Sequence, residues 1–320
     1  MPPLKISIAL CTYNGERFLP QQLSSIRQQS TVPEEVVVCD DGSTDRTVAI
    51  LREFAGSVPF PVRIFENQTN LGYAANFEQA IRICGSELIA LSDQDDIWHP
   101  HRLERSRQEF TDHPEVGLVF SDADLIDDEG HETGSRLWQK LKFNGRRKRE
   151  LLAGKFVVLA QYRFITGATL MFRASLRPRI LPIASGWIHD EWIALMAAAF
   201  SDLRPIDQPL LRYRIHASQQ VGFQNKLERR AQGKHWVRLA ESARELQEVC
   251  DALAAMDPEA TRPVLPAYQQ HLEFLRFRLN LPRSPAQRLL PVMKHLPGYG
   301  AHASGWKSAL KDMVIPPPRS

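Results

Sequence analysis

Along the first hundred residues, short β-branched runs alternate with longer amphipathic stretches, the pattern of strand and helix units wound into a mostly parallel sheet. Residues 6–10 read as a buried strand, and Phe18, Leu23 and Ile26 recur behind it at helical spacing. Residues 36–38 form the next strand, and 44–54 a helix capped by Ser43 or Thr44. A third strand at 62–65, a helix at 74–84 and a fourth strand at 88–91 follow, the last running into Ser92-Asp93-Gln94-Asp95-Asp96. Polar clusters therefore fall at the C-terminal ends of strands, where open α/β sheets bind ligands.

Farther along, a strand at 116–120 enters residues 121–132, which hold six acids and no Lys or Arg, and residues 136–149 then hold seven bases and no acid. That reversal of sign predicts a surface excursion. Residues 156–172 carry β-type residues around Thr166-Gly167-Ala168, and 187–200 read as a helix opened by His189-Asp190-Glu191-Trp192. After Gln224 the texture changes. Trp236, Leu239, Ala243, Leu246 and Cys250 keep a three-four spacing, as do Leu265, Tyr268, Leu272, Leu275 and Leu279. The last hundred residues thus predict two amphipathic helices and a proline-punctuated tail, and the chain divides into an α/β domain at 1–224 and a helical extension at 225–320.

Composition narrows the class. With 320 residues, 43% hydrophobic, 24% charged and 8% aromatic, the chain has ordinary globular usage, which excludes wholesale disorder and fibrous rods. The 40 basic residues less 37 acidic ones leave +3, too little to argue for a nucleic-acid partner. Cys11, Cys39, Cys84 and Cys250 stand far apart without metal-site spacing, so they read as buried apolar residues of a reducing compartment. The N-terminus lacks a signal peptide's long apolar stretch, and no uncharged apolar run reaches the ~18 residues that a spanning helix needs. The expectation is a cytoplasmic protein, peripheral on the inner face of a membrane if it meets one.

The candidate chemistry sits in the loops. Asp93, Asp95 and Asp96 crowd one turn after the fourth strand, and such repulsion calls for a counterion. Mg²⁺ and Mn²⁺ take one or two carboxylates and leave the remaining positions to phosphates and water. An acidic turn capping the next helix is the plain alternative. Thr12-Tyr13-Asn14 and Asp40-Asp41-Gly42-Ser43 lie at the same edge and suit a nucleotide: a carboxylate accepts from a pyrimidine imide N–H, and an aromatic stacks on the base. Asp-Gly-Ser is also a local turn and cap. Neither GxGxxG nor GxxxxGK[ST] follows the first strand, which argues against a Rossmann dinucleotide site or a P-loop.

CTYNGERFL, VVVCDDGSTDRT, NLGYAANF, LSDQDDIW, FSDADLID, ITGATLMF, HDEW and YRIH occur in that order over roughly residues 4–222. Together they resemble the family 2 glycosyltransferases of the GT-A fold, a mostly parallel Rossmann-like sheet flanked by helices, and SDQDDIW with YRIH is most similar to the rhamnosyltransferase-like members. The resemblance implies that Thr12, Tyr13 and Asp41 hold the nucleotide base with Glu16 nearby. By the same resemblance Asp93 faces the ribose or metal, Asp95 binds the Mn²⁺ or Mg²⁺ that bridges the donor diphosphate, and Asp190 is the general base. His216 matches a position that supplies a further metal contact in some relatives. Three departures stand out: His189 where the family commonly has Glu, no Arg at 72–76, and Ala217-Ser218-Gln219-Gln220 where relatives often show Gly and Asn. Glu191 is a rival base.

The residue types fit the implied chemistry. Transfer from a nucleotide sugar needs charge stabilisation on a leaving diphosphate and a carboxylate to take the acceptor's proton. One base attacking opposite the leaving group inverts the anomeric centre. The expectation is a metal-dependent inverting transferase moving a sugar, rhamnose favoured, to a polysaccharide or lipid-linked glycan. The alternatives are a catalytically silent nucleotide-sugar or glycan-binding module of the same fold, and a hexosyl or N-acetylhexosaminyl transferase using a UDP-sugar. In 136–149, Leu137, Trp138, Leu141 and Phe143 interleave with the bases, the make-up of an anionic membrane contact or of a solvated loop balancing 121–132. The C-terminal helices are a second candidate surface.

Overall fold

A computed structural model describes residues 2–216, 219, 235–256, 261, 264–315 and 317. The expected boundary at 224/225, and Ala217, Ser218 and Gln220, lie outside the described residues. Contacts divide the chain into Met1–Gly154 with Phe164–Gln220, and Lys155–Arg163 with Val221–Ser320.

The first unit is built on β1 (Ile6–Thr12), β2 (Glu35–Asp40), β3 (Val62–Glu66) and β4 (Leu88–Ser92), all parallel with β1 in the middle. Every residue of β1 and β4 is buried, as expected of unalternating apolar strands covered on both faces. Helices α1 (Leu19–Arg27), α2 (Thr47–Ala55) and α3 (Tyr73–Ile83) make the crossovers, and α4 (Arg102–Asp112), α7 (Val157–Tyr162) and α8 (Arg177–Ile180) lie farther along the chain. Beyond β4 the sheet continues through β8 (Leu170–Arg173), β6 (Val116–Ile126), β9 (Asp202–Arg214) and β5 (Ile97–Trp98), with β7 (Glu132–Arg136) paired to β6. β8 is antiparallel to both neighbours, whereas β9 runs parallel to β6. The mixed α/β sheet with flanking helices is the GT-A architecture expected from the resemblance.

Three local expectations fail for identifiable reasons. Helix α2 starts at Thr47, not 44, because Ser43 Oγ bonds Asp40 and the Asn14 N–H while the Thr44 N–H donates to Asn14 Oδ1; the Asp45 carboxylate takes the Thr47 N–H instead. The acidic stretch is not a loop from 121: β6 runs to Ile126 with Ser121, Asp122, Ala123 and Leu125 buried, and Asp122 accepts from the Trp138 N–H at 3.0 Å. The basic stretch forms α5 (Leu137–Leu141) and α6 (Gly145–Leu152), and its Leu137, Trp138, Leu141 and Phe143 are buried. Phe143 stacks on Phe164 with ring centroids 4.2 Å apart, so these apolar side chains fill the core and cannot enter a membrane. Arg136, Arg146 and Lys148 pair with Asp124, Glu150 and Asp207.

In the second unit, helices His235–Ala254 and Leu265–Leu279 pack together as their spacing predicts. The tail is helical rather than irregular, with segments Pro285–Lys294, Leu296–His302 and Trp306–Val314. Their anchor is a buried polar cluster. Asp312 accepts from Arg278 Nε and Nη2 (2.7 and 3.0 Å) and the Tyr299 hydroxyl (2.6 Å), and lies 2.6 Å from His235 Nε2. The cysteines are unbridged and buried, as expected. Among the described residues no helix is long and apolar enough to cross a membrane.

Candidate active site

Registers place the loops. Thr12 pairs with Asp40 across β1 and β2, and Leu10 with Ser92 across β1 and β4, so the turns after β1, β2 and β4 leave one edge side by side. Thr12 Oγ1 donates to Asp40 Oδ1 at 2.7 Å, and the Ser43 N–H and Oγ donate to the same carboxylate. The Tyr13 N–H donates to Gln94 Oε1 (2.8 Å) while Gln94 Nε2 donates to the Tyr13 carbonyl (3.0 Å), clasping the first loop to the acidic one. Gly15 permits this: a Cβ there would stand 2.3 Å from Gln94 Oε1. Glu16 accepts from the Arg46 N–H. Asp41 is 2% exposed, and its carboxylate accepts from the Leu71 and Gly72 amides and Asn67 Nδ2. A carboxylate has about four lone-pair sites, so this one keeps room for one further donor.

After β4, Asp93 and Asp95 are half-buried and Asp96 is fully buried. Asp95 Oδ2 lies 2.8 Å from His216 Nε2, with side-chain exposures of 13% and 5%. The pair joins the two residues that the resemblance assigns to metal. Arg214 builds it. Its Nε donates to the Asp95 carbonyl, Nη1 to the Asp127 and Asp128 carbonyls, and Nη2 to Gln21 Oε1, and its N–H donates to Asp96 Oδ1. Phe18 supports both, its ring centroid 4.6 Å from the Arg214 guanidinium carbon and 4.7 Å from the His216 ring. Burial, then the charges of Asp95 and Asp93, push the Asp96 carboxyl well above the usual carboxylate range. Burial lowers the nearby Arg102 guanidinium to about 9 against the pull of Asp96 and Asp93. Arg102 lies 3.7 Å over the Trp98 ring and donates to the Leu91 carbonyl.

Asp190 opens α9 (His189–Ala197), is 3% exposed and accepts from the Gly167 N–H at 2.8 Å. The Thr166-Gly167-Ala168 turn lies just before β8, the neighbour of β4. A Cβ on Gly167 would stand 2.5 Å from His189 Nε2, and the His189 ring is stacked on Phe77 at 4.1 Å. Asp190 and the acidic loop share one neighbour: the buried Tyr213 hydroxyl is held well above its usual value by burial, then by Asp96, Asp93, Asp95 and Asp190. Gln94, Arg214 and Gly167 are site residues that sequence reasoning did not single out, although each lies inside a quoted block.

A family model described as glycosyl transferase family 2 matches residues 7–175, just over half the chain. The chain belongs to glycosyl transferase family 2. Among curated relatives, this family 2 chain is 27% identical over 221 residues to an uncharacterised glycosyltransferase of Nostoc sp., covering 67% of this chain and 66% of that one. It is 37% identical over 101 residues to the dTDP-rhamnosyl transferase RfbG of Shigella flexneri, covering 30% of this chain and 35% of the other. The matched stretches thus span about two thirds of the first relative's length and about a third of the second's. Among solved structures, Staphylococcus aureus TarS 1–349 in complex with UDP-GlcNAc aligns with TM-score 0.57 and 17% identity over 92% of this chain and 81% of that one. The mannosyltransferase PcManGT of Pyrobaculum calidifontis, in complex with GDP-Man and Mn²⁺, aligns with TM-score 0.52 and 20% identity over 96% and 78%. These likenesses show the fold. In the turn between β6 and β7, potential ligand atoms of Asp127, Glu129 and His131 lie within 4.8 Å of one another.

Proposed function

We propose that this chain transfers a glycosyl group from a nucleoside diphosphate sugar to a hydroxyl of a polysaccharide or lipid-linked glycan, with a divalent cation and with inversion at the anomeric carbon. The observation that carries the reading is the 2.8 Å approach of Asp95 and His216, from loops far apart in sequence, beside the turns after β1 and β2. A carboxylate oxygen and an imidazole nitrogen are suitable ligand types for Mn²⁺. Their 2.8 Å separation is close to the ~3 Å expected between two neighbouring ligands of one such ion, so Asp95 and His216 would hold it together. When bound, it supplies charge stabilisation on the leaving diphosphate.

The chain's own residues do the rest. Thr12, Tyr13 and Glu16 form the wall of the base pocket, Asp41 offers its remaining lone pair to a base N–H, and Asp93 faces the ribose side. Asp190 takes the acceptor's proton, with the Gly167 N–H holding the carboxylate in place. A single base opposite the leaving group gives inversion without a covalent intermediate. Likeness to RfbG, together with SDQDDIW and YRIH, supports dTDP-rhamnose as donor. Incubating the protein with dTDP-rhamnose or UDP-hexoses, Mn²⁺ and candidate glycan acceptors tests this. A deoxyhexose mass increment supports the reading, a hexose or N-acetylhexosamine increment changes the donor, and absence of both transfer and donor hydrolysis favours a silent binding module.

A further inference from the structure

The outer face of the C-terminal helices carries large apolar side chains that the fold does not bury. In Trp306–Val314 the inward positions are Ala309 and Asp312, while Trp306, Leu310 and Val314 are 67%, 47% and 66% exposed. At 3.6 residues per turn these three fall within an arc of about 80°, and Lys307 and Lys311 flank it at about 100° and 140°. Helix Pro285–Lys294 repeats the arrangement: Arg288 and Val292 face inward, Leu289 and Met293 are 51% and 54% exposed, and Lys294 borders them. The two helices pack against each other.

Charge decides what covers this layer. Between 283 and 315 the one acid is Asp312, which is fully buried and bonded to Arg278. Arg283, Lys294, Lys307 and Lys311 are all exposed. The layer therefore presents apolar side chains ringed by cations with no exposed carboxylate. A second copy of the same face would bring like charges together across a two-fold axis. An anionic lipid surface answers both features, since apolar stripes enter the headgroup boundary, tryptophan settles at that depth, and lysines meet lipid phosphates.

The geometry points to these two helices lying in the plane of an anionic membrane surface, with Trp306, Leu310, Val314, Leu289 and Met293 inserted and Lys294, Lys307 and Lys311 on the headgroups. The inference is independent of the proposed transfer reaction. The test is flotation of the full chain with phosphatidylcholine vesicles with and without phosphatidylglycerol, at low and high salt, alongside the protein's sedimentation state. The expected result is binding to the anionic vesicles that salt weakens, and a loss of at least roughly tenfold in Trp306→Ser/Leu310→Ser. A similar loss with reduced salt dependence is expected in Lys294→Ser/Lys307→Ser/Lys311→Ser. All these side chains are exposed, and far-UV circular dichroism checks that each variant is folded. No binding to anionic vesicles at low salt would overturn the inference. So would equal binding to neutral vesicles, or a dimer that Trp306→Ser/Leu310→Ser dissociates in a protein that ignores vesicles.

Discussion

Replacing Gly167 with alanine adds one methyl group at the point where the proposed base is held. Gly167 does not have positive φ, so alanine meets no backbone penalty and the effect is steric. The new Cβ would stand 2.5 Å from His189 Nε2, about 1 Å inside ordinary contact. His189 has little room to retreat because its ring is stacked on Phe77 at 4.1 Å. If the turn gives way by that amount, the Gly167 N–H to Asp190 bond, now 2.8 Å, passes beyond hydrogen-bonding distance. Overpacking costs about 1–3 kcal/mol, and a hydrogen bond to a charged group about 1.5–3 kcal/mol. A 1 Å misplacement of a catalytic group can cost ~100-fold in rate. Gly167→Ala should therefore lower thermal stability measurably and reduce turnover by one to two orders of magnitude with donor affinity retained. Adding His189→Ala removes the clash, so Gly167→Ala should cost far less in that background than in the wild type. Wild-type turnover in Gly167→Ala, or equal losses in both backgrounds, would mean that the Gly167–His189 contact does not position Asp190.

Other consequences are equally direct. Arg214→Met strands half-buried carbonyls at Asp95, Asp127 and Asp128, each at the lower end of the about 1–3 kcal/mol that a buried unsatisfied group costs, so denaturant unfolding should show a loss of about 2–3 kcal/mol; a loss below ~1 kcal/mol would contradict the clasp. Asp190→Asn should abolish transfer while nucleotide binding persists, with Glu191→Gln milder, and the reverse pattern would exchange their roles. The second unit should weaken in acid. Burial, with His302, Arg278 and Arg163 adding, lowers His271 to about 3, so stability present at neutral pH is lost as pH falls from ~6.5 towards that value. Hydrogen bonds from His235, Arg278 and Tyr299 outweigh burial and hold Asp312 at about 2, so its contribution is full above ~3.9 and is lost as pH falls through about 2. Unfolding midpoints measured against pH should flatten between pH ~6.5 and 4 in His271→Gln.

The parallel half of the sheet was legible because buried strands such as Ile6–Thr12 are continuous apolar runs ended by polar loops. The long strand β9 was not, since Pro205 and Pro209 interrupt its apolar pattern; Pro205 pairs with Phe120 and Pro209 with Asp122, on either side of the slip in pairing with β6 between Ser121/Ile206 and Asp122/Pro209. The acids of 121–126 looked solvated, yet Asp122 is consumed in capping α5. Spacing alone could not bring Asp95 to His216, because that contact depends on Arg214 joining three segments of the chain. The blocks SDQDDIW and YRIH carried it only through resemblance. Gly167 and His189 likewise reveal their dependence only once α3 and α9 pack.

In the proposed reaction, Asp95 and His216 share one divalent ion with a nucleoside diphosphate. Electron paramagnetic resonance of free Mn²⁺, titrated with the protein in the presence of dTDP or UDP, measures this without an acceptor or turnover. The expected result is nucleotide-dependent uptake of Mn²⁺ by the wild type and by Asp190→Asn, weakened at least roughly tenfold in Asp95→Asn and in His216→Ala. Wild-type uptake by Asp95→Asn, or none by the wild type with either nucleotide, would contradict it.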